Sequence, residues 1–189
     1  MVGYNGLKEL WKYTEILRKL ENIGKIKITK NCGLHTHYGN FFDKNDLGIA
    51  RKFRKNYELN EHWFDSIMPK SRRLNNNGNF GHTNYIKMIK DCRENEKYCK
   101  VTHRKYEDNG TFEIRHHGGT LSFAKMANWI CFNFKVLEKL VNEHYVPAVK
   151  NSFLELINEF VSDKVELVEY FLTRKALLNP SPAYAVESE

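Results

Sequence analysis

The chain has 189 residues, enough for one domain with a full core and short for two. Apolar residues make up 41% and aromatics 13%, too many for a disordered chain, and the 28% of charged residues leave no run of about 18 apolar positions that could cross a membrane. The segment from Met1 to Gly6 leads straight into a charged amphipathic stretch, so no signal peptide is expected and the composition points to a cytoplasmic domain.

The residues after Gly6 have the period of a helix over 7–22, with Leu7, Leu10, Trp11, Thr14, Leu17 and Leu20 three or four apart and Gly24 as the stop. Lys25–Thr29 alternates and predicts a short strand. Gly33–Gly39 alternates again, with Leu34, Thr36 and Tyr38 on one face and His35 and His37 on the other. Asp43 or Asp46 can cap a helix carrying Leu47, Ala50 and Phe53, and Glu58–Met68 predicts another, ended by Pro69. Residues 74–81 form a loop and Ile86–Asn95 a short helix. Cys99–Tyr106 and Thr111–His117 are expected to be strands joined by the turn Asp108-Asn109-Gly110. Ser122 then caps a long helix with Phe123, Met126, Ile130, Phe134, Leu137 and Val141 on one stripe. A last helix covers 147–178, and a loose tail follows over 179–189. Few strands interleaved with helices define an α+β class.

The thirty basic residues outnumber the 23 acids, giving a net charge of +7, and the excess is concentrated. Residues 51–105 hold fourteen Lys or Arg against six acids, whereas residues 151–189 hold three against seven. The middle of the chain is therefore where an anion would bind. Four cysteines, at 32, 92, 99 and 131, include no CxxC pair and are expected to be reduced thiols; Cys32, His35 and His37 with Cys92 or Cys99 match no common zinc spacing.

Two alternating stretches carry chemistry. In Gly33-Leu34-His35-Thr36-His37-Tyr38-Gly39 a period of two places both imidazoles on one face, about 6 to 7 Å apart. Imidazole binds metals and donates to phosphate oxygens, yet two such residues on a strand are also compatible with a half-exposed polar face. In Thr111-Phe112-Glu113-Ile114-Arg115 the apolar residues face the core, and Glu113 and Arg115 share the other side, as a structural ion pair or as a metal ligand beside a phosphate clamp. Side by side in one sheet, the two strands would present His35, His37, Glu113 and Arg115 together. Basic residues from Pro69-Lys70-Ser71-Arg72-Arg73 could close over them.

Three stretches in order, Cys32–Gly39, Met68–Arg72 and Thr111–Leu121, followed by Trp129, resemble the amidoligase family of the carboxylate–amine ligase superfamily, which includes glutamine synthetase and glutamate–cysteine ligase. Order and spacing agree over residues 6–141. The resemblance implies an antiparallel sheet with helices packed on one face, like the glutamine synthetase catalytic domain, in a single domain over 1–178. It implies that ATP phosphorylates a carboxylate and that an amine then attacks the acyl phosphate. The substrates would be amino acids, peptides, cell-wall peptides or protein tails. It places His35 and Glu113 on Mg²⁺, and His37 on ATP phosphate or a metal-bound water. Arg115 would meet the transferred phosphoryl group or the substrate carboxylate. Arg72 would bind nucleotide phosphate, and Thr120, in the turn Gly118-Gly119-Thr120, would border the pocket.

One departure stands out. Family members begin with a strand bearing a Glu-x-Glu pair that supplies further magnesium ligands, and this chain shows none; Glu9, Glu15 and Glu21 lie on a helical pattern. The expectation is a truncated chain with an incomplete metal site, completed by a separate polypeptide or left as a non-catalytic remnant. A competing expectation is a basic nucleic-acid-binding protein with Tyr38, Phe41, Phe42 or Tyr85 as stacking platforms, though no nucleic-acid motif appears.

Overall fold

The computed structural model describes residues 4–29, 32–39, 48–73, 99–103, 110–142 and 144–180. The two alternating segments are its central strands. β1 (Gly33–Gly39) pairs antiparallel with β3 (Thr111–Gly118), matching Tyr38 with Phe112, His37 with Glu113 and Thr36 with Ile114. The register shifts between Leu34 and Thr36. β2 (Val101–Thr102) lines the other side of β3, so the sheet order is β1-β3-β2. One face buries Tyr38, Phe112, Ile114 and Val101. There the rings of Tyr38 and Phe112 stack with centroids 5.7 Å apart.

Helices supply the rest of the core. Phe53 and Tyr57 come from α2 (Gly48–Leu59) and Phe64 from α3 (Glu61–Ser66). Trp129, Phe132, Val136 and Leu137 come from α4 (Phe123–Leu140). Behind α4 pack α5 (Phe153–Val161), through Leu156, Ile157 and Phe160, and α6 (Val165–Leu178), through Leu167 and Phe171. A 3₁₀ turn at Lys70–Arg72 brings the segment after α3 against β3. The described residues are therefore α+β, with a small three-stranded antiparallel sheet and six helices. No described helix is long and apolar enough to cross a membrane.

Several local expectations are corrected. Lys25–Thr29 is not a strand, because its alternation meets no partner strand among the described residues. Helix α1 (Tyr4–Asn22) forms as expected, but it lies lightly on α4 and leaves Trp11 and Leu17 exposed; of its predicted stripe only Thr14 is fully buried. The stretch 58–68 is broken at Asn60, whose side chain donates to the carbonyls of Asn56 and Ala148 and accepts from the Lys150 amide. The same clamp holds 148–150 out of a helix, so the helix expected over 147–178 starts only at Phe153, and a separate turn at 162–164 divides it in two. Ser152 starts the first by accepting from the Glu155 amide.

Ser122 caps α4 as predicted, accepting from the Lys125 amide. The buried stripe of α4 is rotated from the predicted one. Met126 and Leu137 are buried as predicted, but so are Trp129, Phe132, Asn133, Val136 and Leu140, whereas Phe123, Ile130 and Phe134 are only partly buried and Val141 is exposed. Cys99 is disulfide-bonded rather than reduced, and Cys32 and Cys131 are free. Asp43, Asp46, Leu47, Cys92, the loop 74–81, the helix 86–95 and the tail 181–189 lie outside the described residues.

Candidate functional site

The sheet face turned away from the described helices carries the four residues singled out from the two motifs. His37 faces Glu113 across the strands, and the shifted register next to it brings His35 to the same carboxylate. His35 Nδ1 lies 2.9 Å from Glu113 Oε1, and His37 Nε2 lies 3.7 Å from the same oxygen. Arg115 Nη1 donates to both carboxylate oxygens, at 2.9 and 3.0 Å. Burial raises the Glu113 carboxyl, but the hydrogen bond from His35 and the Arg115 charge outweigh it and hold the pKa below the ordinary value. Glu113 is thus ionised, and His35 must donate through Nδ1.

Arg72 enters from the 3₁₀ turn. It is only 5% exposed, and its Nη2 donates to the Cys32 carbonyl, at the start of β1. Its Nε is buried without a hydrogen-bond partner. Burial lowers its pKa against the opposing pull of Cys32, and the Arg115 charge adds a smaller lowering. Gly33 makes this approach possible: a Cβ there would sit 2.9 Å from His35 Nε2 and 3.0 Å from Arg72 Nη2. Gly119 serves the same corner, since a Cβ on it would come within 2.5 Å of the Cys32 Cβ. Its amide donates to the Cys32 carbonyl at 2.8 Å. The structure therefore brings Arg72, Arg115, His35, His37 and Glu113 together. Thr120 sits in the adjoining turn, where its hydroxyl accepts from the Ser122 amide at 3.1 Å.

The arrangement suits an anion better than a cation. Arg115 and two imidazoles surround the Glu113 carboxylate, which is already engaged by Arg115 and His35, and the Arg72 guanidinium lies on the far side of His35 at the Cys32 carbonyl. Among the described residues, no group of three or more His, Cys, Asp or Glu side chains is placed to hold a metal ion. His35 and Glu113 do not fit a magnesium site by themselves, because magnesium prefers six oxygens and this pair offers one committed carboxylate. For zinc, Cys32 Sγ is engaged by Thr29 and Cys99 is in a disulfide.

A second polar group lies beneath the first and was not anticipated. Lys100, with no exposed side-chain surface, places Nζ 2.6 Å from Asp65 Oδ1 and 2.8 Å from Glu61 Oε1. His116 Nε2 stands 2.8 Å from Asp65 Oδ1 and 3.0 Å from the Arg72 carbonyl, and its Nδ1 meets the Tyr57 hydroxyl. Burial and the Lys100 charge push the His116 pKa down to about 4 against the pull of Asp65, so the ring is neutral at pH 7. Both neighbours of Nε2 are acceptors, which puts the ring proton on Nε2 and makes Tyr57 the donor to Nδ1. Glu61 and Asp65 are four apart on α3, a spacing common on exposed helices. Nothing in the sequence marks Lys100 as buried.

Comparison with protein-family models, curated proteins and solved structures gives no match to this chain.

Proposed function

We propose that the open face of β1 and β3 binds a phosphate- or carboxylate-bearing ligand in an ATP-dependent carboxylate–amine ligase, or in the C-terminal part of one. The observation that carries this reading is the pair Arg72 and Arg115. One is buried with an unpartnered Nε, the other lies beside Glu113 on the same face, and two imidazoles stand next to them. Guanidinium forks match phosphate oxygens, and burial strengthens each contact.

In this reading the γ-phosphoryl of ATP passes to the substrate carboxylate, releasing ADP and leaving an acyl phosphate. The amine then attacks the acyl carbon, and inorganic phosphate departs with the C–O bond electrons. Arg115 neutralises the transferred phosphoryl, Arg72 holds nucleotide phosphate, and the half-exposed His37 donates to a phosphate oxygen. Glu113 orients Arg115 and His35. The reading assigns no step to a metal, because the described residues do not by themselves form a site for one.

A second reading, a non-catalytic remnant that binds the same anion, draws on one observation: the Glu113 carboxylate is neutralised by Arg115 and His35. Two measurements separate the possibilities. Magnesium-ATP should raise the melting temperature, and a single-stranded oligonucleotide of equal phosphate concentration should not. Phosphate release from ATP in the presence of amino acids identifies the ligase, and stabilisation without release identifies the remnant. Stabilisation by the oligonucleotide alone would overturn both in favour of a nucleic-acid-binding protein.

A further inference from the structure

The buried cluster has no place in the chemistry above, yet it is connected to the site twice, by His116 at the Arg72 carbonyl and by the Lys100 carbonyl, which accepts from the Arg115 amide at 2.8 Å. His116 and Arg115 are neighbours on β3; Arg115 lies on the polar face beside Glu113, and His116 is wholly buried. The Nε2 proton of His116 is shared between the Asp65 carboxylate and the Arg72 carbonyl. Asp65 is fixed in turn by Lys100, just before β2, and Lys100 by Glu61. The Tyr57 hydroxyl closes the other end of the ring. Every contact here is between buried or half-buried groups, so an imidazole rotation would leave a buried donor and an acceptor unpaired.

We propose that this cluster is a positioning device for the anion site: His116, held by Asp65 and Tyr57, fixes the Arg72 backbone against β3 and thereby sets the Arg72 guanidinium beside His35 at the start of β1. The proposal rests on the anion-binding reading of the open face, but its first readout does not need a ligand. Arg72 also reaches the Cys32 carbonyl through a side chain with four rotatable bonds. That contact steers the tip, while the His116 contact fixes the backbone from which the side chain departs. Removing it frees the Arg72 carbonyl from β3 and leaves the turn held only by its own amide bonds and by the Arg73 side chain, which loosens the point from which the guanidinium departs.

Two substitutions separate positioning from bulk stability. In His116→Gln the side-chain amide nitrogen reproduces Nε2 and can donate to the Arg72 carbonyl, whereas in His116→Asn the shorter amide reproduces only Nδ1. Both lose the imidazole and should melt earlier than the parent. The Arg72 Nε–H resonance, recorded on the full chain without ligand, should stay sharp in His116→Gln and broaden in His116→Asn. ATP, used as the probe, should bind His116→Asn about tenfold or more weakly and His116→Gln close to the parent value. An unchanged Arg72 signal in His116→Asn overturns the proposal whatever ATP does. So does ATP affinity that falls in step with melting temperature in both variants. If the Arg72 signal responds as expected but the parent binds no ATP, the positioning stands and the ligase reading falls.

Discussion

Arg115 has two possible employments at the scale of a residue. As a structural partner it would only satisfy Glu113, and as a ligand group it would turn its remaining donors outward. Its side chain is 20% exposed against 11% for Glu113, so the pair is largely buried, but His35 still engages the Glu113 carboxylate when the guanidinium is removed. Arg115→Ala is therefore expected to cost little stability and to abolish stabilisation by ATP, as measured by thermal melts with and without nucleotide. An unfolded variant would show the guanidinium to be structural. Alternation in the sequence was enough to place His35, His37, Glu113 and Arg115 on one face, because a strand's period of two leaves no other option once the apolar side is buried. The distances among them were not legible. They depend on a register shift at Leu34–Thr36 and on two glycines that bring Arg72 and Cys32 close.

Between elements, the cluster of Lys100 with Glu61 and Asp65 ties α3 to the segment entering β2, and His116 extends it to β3 and the 3₁₀ turn. Removing the ammonium group leaves two carboxylates buried against one another. Lys100→Met, nearly the same length, should lower unfolding free energy by about 3–5 kcal/mol in urea titrations. A loss well under 1 kcal/mol would mean that the carboxylates protonate or rotate to water. Strand and helix identities read well from the sequence wherever periodicity and a cap agree, as at Gly33–Gly39 and at Ser122. They failed where one side chain overrode the pattern. Asn60 is the plainest case: an amide in a helical stretch, it bonds to backbone 88 to 90 residues further on and so breaks one helix and delays another.

Across the whole molecule, two buried imidazoles set the response to acid. Burial, with Lys100 for His116 and Arg174 for His117, lowers these groups from 6.5 to about 4 and about 3. Between those values and 6.5 the unfolded chain binds more protons than the fold. Stability is then complete above pH about 6.5 and declines as pH drops toward 4 and 3, by a few kcal/mol per imidazole. Glu113 and Asp65 act at still lower pH. Their folded pKa values are depressed, so the stability they add above their unfolded values is lost as pH falls through the folded ones. Urea midpoints at pH 7 and pH 5 test the first part: a clear fall is expected in the parent, and a smaller one in His117→Phe, which keeps an aromatic ring beside Trp129. Equal midpoints in the parent would show that both rings titrate normally.

The Cys32 carbonyl, which receives both the Arg72 guanidinium and the Gly119 amide, belongs to a residue whose thiol is also unusual. Hydrogen bonds from Thr29, and to a smaller degree the charge of Arg72, lower its pKa, whereas burial raises that of Cys131. The corner where the anion is expected therefore carries its own kinetic reporter. Iodoacetamide at pH 7.5, a condition of about that value chosen to lie below an ordinary thiol pKa, should alkylate Cys32 well ahead of Cys131. An anion seated on Arg72 would cancel part of the positive potential that favours the thiolate, so ATP should slow labelling of Cys32 and leave Cys131 alone. Peptide mapping over a time course reads both sites in one tube, and a Cys32 rate indifferent to ATP would place any bound nucleotide away from this corner.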